Sequence, residues 1–437
     1  MARPKAPEPI GPGAPECYWA DTATPPAAAN QPLAASYDLV IIGAGFTGIN
    51  AALTAAEAGM QVLVLDAHRP GWGASGRNGG FCCLGGDRLG ISAIANTFGE
   101  TEAKHYAQGQ LAAIERVEAL LANHHIEADR CGQGEWVLAH TTKHRGELTQ
   151  YQRELAHFYG IQAQLRPTAN LDSAGNANPY AQPALWNPAG FGLHPLKYLY
   201  GLQAAALAAG AQFHAPAQVL QLKASPKGWR LGGRNFELFA RRVLVATNGY
   251  TPDNLTATLR GRLLAAQSNI LVTQPLPAST LKALHWQHLT PAYDTRKLLY
   301  YFRLLPDGRL LFGGRAGISE STTSFAARRA QHTADFQQLF PAAHGLGIDY
   351  FWRGRVALSF GQTPHVAQLG KGLYCALAYH GNGIAMGSWC GHQAIKLMLN
   401  ASHQLPRFMQ RPPRRFPLAA LRPLYLAAAY TAYRWFD

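Results

Sequence analysis

The feature that most constrains this chain is a glycine-rich turn between a hydrophobic run and a helical pattern. Residues 37–42, YDLVII, are apolar and β-branched, which is typical of a buried parallel strand. GAGFTG follows and places Gly43, Gly45 and Gly48 in the spacing G-x-G-x-x-G. Residues 49–58 then have the composition of a helix. A strand, a glycine turn and a helix in this order predict a Rossmann-like βαβ unit.

Each part of this unit has a role in binding a dinucleotide. Gly43 permits the tight turn, Gly45 lets the main chain approach a pyrophosphate, and Gly48 lets the helix pack closely. The helix begins near Phe46 and Thr47, where free N–H groups and partial positive charge favour phosphates.

The second predicted strand, QVLVLD, ends at Asp66 and is followed by Ala67. An acidic residue at this distance from the turn accepts hydrogen bonds from an adenosine ribose. The unit therefore predicts a bound dinucleotide, either NAD or FAD. The alternative is a βαβ unit with a glycine turn and no ligand.

A second glycine-rich stretch favours FAD. GWGASGRNGGFCCLGG, residues 71–86, contains seven glycines in sixteen residues, which suits neither a helix nor a long strand. Bare main chain so soon after Asp66 fits close approach to a ribityl chain and a flat isoalloxazine ring. Arg77 would also offset phosphate charge. The candidate cofactor contacts of this stretch are Gly73, Ala74, Ser75, Arg77, Asn78, Gly79 and Gly80.

Two later segments return to the same predicted sheet. RVLVAT (242–247) and LYCALA (373–378) are further buried strands, and a helix is predicted from about Ile384 to Leu399. The N-terminus of this helix would face the ligand, although Asn382 is also a plausible simple helix cap. The additional cofactor candidates are Val219, Thr247, Asn248, Gly381, Asn382, Gly383 and Ile384.

The remaining segments predict a second domain. NILVTQPL, LLYYFRL and RLLFGGR have strand composition, with a turn at PDG, and consecutive strands favour an antiparallel sheet. The predicted fold class is α/β, with a discontinuous Rossmann-like FAD-binding domain and a substrate domain with a mainly antiparallel sheet. The boundaries are: leader, 1–36; FAD-binding domain, 37–100, 190–255 and 361–405; substrate domain, 101–189 and 256–360; basic and aromatic tail, 406–437.

These motifs resemble the FAD-dependent amine and amino-acid oxidoreductases, the family of D-amino-acid oxidase, glycine oxidase and sarcosine oxidase. GASGRNGG is most similar to the γ-glutamylputrescine oxidase branch, and matching segments extend from YWADTA to GLYCALAYHGNGIAMGSWCGHQAIKLM. The chain departs from the family in having Asp66 where Glu is more usual and HGNG where GHG is more usual. The resemblance implies oxidation of an amine or amino acid by hydride transfer to flavin N5, followed by imine hydrolysis.

In this family the antiparallel sheet carries the substrate pocket. Strand alternation puts Tyr301 and Arg303 on one face, where they would hold a carboxylate or, alternatively, form a solvated edge with a structural arginine. Arg315, on the same hairpin, is not assigned a role. His194 and Trp352 complete the set of candidate catalytic residues, and Arg353 and Arg355 are weaker candidates for the pocket wall. For His194, a structural role competes with a catalytic one.

Cysteine usage bears on flavin attachment and on compartment. Sarcosine-oxidase-like members attach FAD through a cysteine near a later T-P segment, but here that segment reads VALSFGQTPHV. We therefore expect noncovalent FAD, with Cys82 and Cys83 as small apolar fillers. The six cysteines form no CxxC, and the start of the chain has proline and charge where a secretory signal has an apolar run. We expect a cytoplasmic protein with reduced thiols.

The charge and the tail bear on partners. The formal net charge is +14, but the sequence has no RNA-binding aromatic signature and no zinc-ligand spacing, so we expect neither nucleic acid nor a metal. The tail mixes arginines with aromatic residues and predicts a packed helix or homo-oligomer contact, with a peripheral membrane contact as the alternative. Oxygen is the expected electron acceptor. A dehydrogenase that uses a quinone or protein carrier, and a non-catalytic flavin-binding scaffold, are the alternative functions.

Overall fold

The chain forms two eight-stranded sheets with helices packed around them, and the computed structural model describes residues 17–26, 32–166, 180, 183–284, 288–315, 317 and 321–436. The α-helices within these ranges are α1 Tyr18–Asp21, α2 Phe46–Glu57, α3 Ile91–Phe98, α4 Glu100–Asn123, α5 Arg145–Glu154, α6 Pro195–Ala208, α7 Ala278–Ala283, α8 Thr322–Leu339, α9 Ala385–Met398 and α10 Arg422–Phe436. The strands are β1 Ser36–Ile42, β2 Val62–Leu65, β3 Phe81–Cys82, β4 Glu135–Leu138, β5 Gln164–Arg166, β6 Ala184–Asn187, β7 Phe191–Gly192, β8 Gln212–His214, β9 Gln221–Ser225, β10 Gly228–Gly232, β11 Glu237–Val245, β12 Leu263–Pro275, β13 Ala292–Asp294, β14 Tyr300–Leu304, β15 Arg309–Arg315, β16 Ile348–Ser359, β17 His365–Gly370 and β18 Leu373–Leu377.

The first sheet is the predicted Rossmann-like sheet. Its strand order is β17-β18-β11-β1-β2-β8, and β1 pairs in parallel with both β11 and β2. Strand β11 pairs in parallel with β18, and β2 with β8. The sequence therefore predicted the central strands correctly, and segments that are distant in the chain meet in one sheet. The antiparallel ribbon of β9 and β10 extends from β11.

Close helix contacts explain two glycines near the centre of this layer. A Cβ atom at Gly48 would lie 1.8 Å from the carbonyl oxygen of Gly43, so only glycine lets α2 pack this near the turn. A Cβ atom at Gly391 in α9 would lie 2.2 Å from the carbonyl oxygen of Thr47. Helices α2 and α9 thus cross at main-chain distance, which holds their N-termini at the same edge of the sheet.

The second sheet has the order β16-β12-β15-β14-β13-β4-β6-β5. Its neighbours are antiparallel except β13 and β4, which are parallel, so the prediction of a mainly antiparallel sheet agrees with the structure. The predicted turn between β14 and β15 contains Gly308, whose φ of +79° suits glycine.

Helix α4 begins where the predicted boundary at residue 101 would end the first domain. It nevertheless packs along α9, and Arg116 on α4 donates a hydrogen bond of 3.2 Å to Asn50 on α2. The helix therefore covers the first sheet's layer. The sequence does not predict this, because an amphipathic helix shows which face is buried but not against what.

No helix in the described ranges is both long and hydrophobic enough to span a bilayer.

Gly391→Ala is expected to lower the free energy of unfolding by about 1–3 kcal/mol, since the methyl group has no room against Thr47. Gly146→Ala is the matched control, because this helical glycine has no atom within 4 Å of an added Cβ. Denaturant unfolding of both variants measures the difference. Equal stability of the two variants would contradict the close packing of α2 and α9.

Candidate functional site

A cavity of about 790 Å³ lies at the carboxyl ends of the parallel strands, between the two sheets. This edge of an open α/β sheet is where such folds bind ligands. Every residue predicted to contact the cofactor lines the cavity except Gly48 and Gly80. Residues from three distant parts of the chain therefore meet around one space.

The glycine turn forms one wall of the cavity. Gly43 has a φ of +112°, and a Cβ atom there would lie 2.9 Å from the carbonyl oxygen of Ala246. A Cβ atom at Gly45 would lie 2.7 Å from Oγ of Ser75. That hydroxyl oxygen accepts a hydrogen bond of 3.1 Å from the backbone N–H of Phe46. The N-terminus of α2 thus lies on the cavity with the geometry of an anion site.

Asp66 lies at the end of β2 on the cavity wall. Its two carboxylate oxygens accept hydrogen bonds from the backbone N–H groups of Ala44 (2.7 Å) and His68 (2.8 Å). Burial raises its pKa to about 6. Each oxygen keeps a lone pair, so the carboxylate fits the two hydroxyls of a ribose.

The loop from Gly71 to Gly80 is held by its own side chains. Asn78 donates to the carbonyls of Ala74 (3.1 Å) and Ser75 (2.8 Å), which uses both of its amide hydrogens. The Asn78 side-chain oxygen accepts from the N–H of Gly80 at 2.8 Å. Asn78 lines the cavity, but its side chain chiefly fixes the loop.

Arg77 also lies on the cavity wall. Its Nε donates to the carbonyl oxygen of Trp72 at 2.7 Å, and its guanidinium lies 5.4 Å from the centre of the Trp72 ring. The remaining N–H groups of the guanidinium are the ones that would contact a cofactor or substrate anion.

A layer of large side chains supports this loop from behind. The indole N–H of Trp19 donates to the carbonyl oxygen of Asn78 at 2.7 Å, and that of Trp352 donates to the carbonyl oxygen of Arg77 at 3.1 Å. Both tryptophans are 1% exposed. Trp352 therefore positions the loop, and the structure does not place it in the cavity wall, which corrects its assignment as a substrate-contacting residue.

Arg303 belongs to the same supporting layer. It is 1% exposed, does not line the cavity, and donates to the carbonyl oxygen of Leu193 at 2.7 Å. Strand alternation correctly puts it on the face that carries Tyr301, but there Gly80 and Gly192 cover its guanidinium. Of the two alternatives left open for Arg303, these contacts favour a structural arginine, although one that is buried and not on a solvated edge.

His194 caps helix α6. Its Nδ1 accepts from the N–H of Lys197 at 3.2 Å, and its Nε2 is 3.0 Å from Oγ1 of Thr22. Because the Thr22 hydroxyl donates to the carbonyl of Tyr18, it receives the Nε2 proton, which defines a neutral imidazole. Burial lowers the pKa of His194 to about 4. These contacts favour the structural role over the catalytic one for His194, which does not line the cavity.

Tyr301 is the predicted catalytic residue that does line the cavity. Its hydroxyl is 2.9 Å from Oγ of Ser268, and burial raises its pKa to about 12. Arg315, one strand along, also lines the cavity and donates to the carbonyl oxygen of His380 at 2.7 Å. Burial lowers the pKa of Arg315 to about 10.

Other cavity residues were not predicted from the sequence. The cavity residues without a sequence prediction include Trp72, Asp87, Tyr151 and Tyr293. Trp72, Gly85 and Gly86 all lie within the glycine-rich stretch 71–86, so the glycine content of that stretch was a signal for them. Tyr151 lies on α5, and nothing in the local sequence indicates that one side of this helix faces a cavity.

Comparison with known proteins identifies the family. The model of the FAD dependent oxidoreductase family, DAO, matches residues 38–397. The chain belongs to this family. It is 27% identical over 375 residues to a probable oxidoreductase OrdL of Haemophilus influenzae, covering 85% of each chain. It is 27% identical over 380 residues to the gamma-glutamylputrescine oxidoreductase of Escherichia coli, covering 87% of this chain and 88% of the relative.

A solved structure shows the same fold. The glycine oxidase of Geobacillus kaustophilus superposes with a TM-score of 0.71 at 17% identity, covering 88% of this chain and all of that one (100%). The sequence-based expectation of a DAO-type fold with a Rossmann-like FAD domain is confirmed.

Gly45→Val is expected to abolish flavin retention, because the side chain would occupy the space beside Ser75 that the main chain leaves open. Gly370→Val is the control, since a Cβ atom there meets nothing within 4 Å. Flavin absorbance per protein after gel filtration, with circular dichroism as the check on folding, measures the effect. A folded Gly45→Val protein with full flavin content would reject the assignment of this wall.

His194 predicts a pH-dependent contribution to stability. Its folded pKa of about 4 lies below the ordinary value of 6.5, so the unfolded chain binds the proton first as pH falls. Neutral His194 therefore contributes about 3 kcal/mol to the free energy of unfolding above pH 6.5, and this contribution is lost as the pH falls towards 4. His194→Asn keeps a cap acceptor without titrating, so the decline in its unfolding free energy over this range should be shallower.

Urea unfolding at a series of pH values measures this slope. His344→Asn is the control, because His344 is exposed. If the unfolding free energy of His194→Asn falls with pH as steeply as that of the control, the assignment of His194 as a neutral helix cap is wrong.

Proposed function

We propose that this chain is an amine or amino-acid oxidase with noncovalently bound FAD. The family assignment supports FAD, and the name of the E. coli relative, gamma-glutamylputrescine oxidoreductase, supports an amine as the substrate. When bound, FAD supplies a hydride acceptor for the carbon next to the substrate nitrogen. The resulting imine hydrolyses to an aldehyde or oxo acid. The protein's residues bind and orient the substrate and exclude water.

Noncovalent attachment is supported by the state of the nearby thiols. Cys83 lines the cavity, and Cys82 next to it is fully buried. Burial raises the pKa of both thiols well above the usual range, so both remain protonated. A protonated thiol is a poor nucleophile towards a ring carbon. The six unpaired cysteines also support a cytoplasmic location.

The observation that carries the substrate proposal is the environment of Arg315. Its guanidinium lines the cavity close to Gly381, where an added Cβ would lie 2.7 Å from Nη2. Among the described residues no carboxylate forms an ion pair with it, and its hydrogen bond goes to a backbone carbonyl. A partly buried cation on a cavity wall without a counter-ion is costly, so an anionic group of the substrate would complete the site.

Arg315 and Tyr301 would therefore hold a substrate carboxylate or a similar anion. This replaces the predicted pair of Tyr301 and Arg303 with a pair that lies in the cavity. Positive charge near the substrate also lowers the pKa of its ammonium group, which favours the neutral amine that hydride transfer requires. No separate base is needed at this stage.

Arg315→Met tests the proposal. Loss of a charge-assisted hydrogen bond should weaken binding of amines that carry a carboxylate by roughly 1.5–3 kcal/mol, about ten- to hundredfold. Amines without an anionic group should bind as in the wild type. Arg230→Met is the control, because Arg230 lies on an exposed strand remote from the cavity lining.

Anaerobic titration with an amine panel, followed by bleaching of the flavin absorbance, measures these affinities. An equal effect of Arg315→Met on both amine classes would contradict the anion site. Absence of bleaching with every amine would instead support a non-catalytic scaffold. Repeating the active cases in air, with peroxide detection, distinguishes oxygen from a quinone or protein carrier as the acceptor.

A further inference from the structure

The C-terminal segment carries an apolar surface that nothing in the described chain covers. Five of the eight large apolar residues that are exposed in the described ranges belong to this surface, four of them on the C-terminal segment and one, Phe360, directly after β16. They are Phe360, Leu418, Leu421, Leu424 and Tyr425, with exposures of 40%, 73%, 46%, 61% and 39%. We call these residues the tail patch. Phe416 links its parts, with ring centres 5.4 Å from Phe360 and 6.2 Å from Tyr425.

Helix α10 carries apolar residues on the face that packs on the protein and also on the face that points outward. Leu421, Leu424, Tyr425 and Ala428 follow the spacing of one helical face, and all four are exposed. The opposite face packs on the protein: Leu426 is buried, and Arg422 at the start of α10 donates to the carbonyl oxygen of Leu263. A surface helix normally carries polar residues outward, so the outward face of α10 indicates an apolar environment.

The part of the sequence that carries the patch is rich in basic residues. The sequence contains no aspartate or glutamate between Asp349 and Asp437, but it contains ten lysines and arginines there. Arg411, Arg414 and Arg415, which precede α10, are exposed. Arg422 is the exception in being neutralised, by Asp253. The tail patch is therefore an apolar surface bordered by exposed arginines, and Arg411, Arg414 and Arg415 form no ion pair with any of the residues that the structure describes.

The combination of exposed apolar residues and arginines favours one kind of partner over another. A second copy of the chain, docked through the same face, would bring the arginines of the two copies together, which is unfavourable in a two-fold interface. An anionic bilayer surface provides both an apolar layer for the leucines and negative headgroups for the arginines. We propose that the tail patch binds the surface of an anionic membrane, with α10 lying in the plane of the interface.

Helix α10 lies close to residues at the border of the cavity. Arg88, next to the cavity residue Asp87, lies 5.7 Å from the ring centre of Tyr433. Tyr430 on the same helix interacts electrostatically with Arg315 and Arg88. The membrane-facing helix thus packs directly on residues at the border of the substrate cavity. Membrane binding would hold that side of the cavity against the bilayer.

Co-sedimentation of the full-length, FAD-loaded protein with vesicles tests the proposal. We expect binding to vesicles of phosphatidylglycerol and phosphatidylcholine in equal parts, weakened by high salt, and little binding to phosphatidylcholine alone. The double variant Leu421→Glu, Leu424→Glu should bind on the order of a hundredfold more weakly, since it loses apolar area and adds repelled charge. Leu220→Glu is the matched control, because Leu220 is 47% exposed and lies outside the patch.

Flavin content and thermal melting confirm that each variant is folded. The vesicle comparison with the wild-type protein needs no variant and stands if the double variant fails to fold. Equal binding to both kinds of vesicle, or no binding, would overturn the proposal. So would a double variant that binds anionic vesicles like Leu220→Glu, or a wild-type dimer that the double variant converts to a monomer without any vesicle binding. None of these outcomes depends on amine oxidation.

Discussion

The site depends on a loop whose main chain is in close contact with the cavity on one side and with buried side chains on the other. On the cavity side, residues of the loop from Gly71 to Gly79 line the space that we propose holds the cofactor. On the other side, the indoles of Trp19 and Trp352 donate to its carbonyl groups, and the guanidinium of Arg303 packs where a side chain at Gly80 would lie. The glycines are costly to order, and this buried layer is what restrains them.

The same layer explains which parts of the site could be predicted from the sequence. The glycine turn, Asp66 and the strands were predictable because their signals are local: spacing, β-branched runs and strand length. His194 and Arg303 were assigned to the substrate because both lie on elements that border the site. Periodicity shows the face of an element, but it does not show whether the chain covers that face elsewhere. Trp19, in the short leader helix, covers it here.

Arg315 illustrates the opposite case. It lies on the predicted hairpin, but the sequence alone does not distinguish it from Arg303. The distinction comes from the second sheet's register, which places Arg315 opposite Ser268 on β12, and from the return of the chain at His380. These contacts join residues more than forty positions apart, so only the assembled fold determines which arginine meets the cavity.

The two arginines also differ in what their burial requires. Arg303 has protein partners, the carbonyl of Leu193 and the thiol of Cys131 at 3.4 Å, and a nearby aromatic ring at Trp19. These contacts leave its Nε buried without a hydrogen-bond partner among the described residues, and they fix the guanidinium in the layer behind the loop. Arg315 is only partly buried, lines the cavity and donates to one backbone carbonyl, and burial together with the like charge of Arg88 lowers its pKa. Under the proposed function, an anion that enters the cavity would meet Arg315 and not Arg303, so selectivity for anionic amines would come from the arginine that lies on the cavity wall.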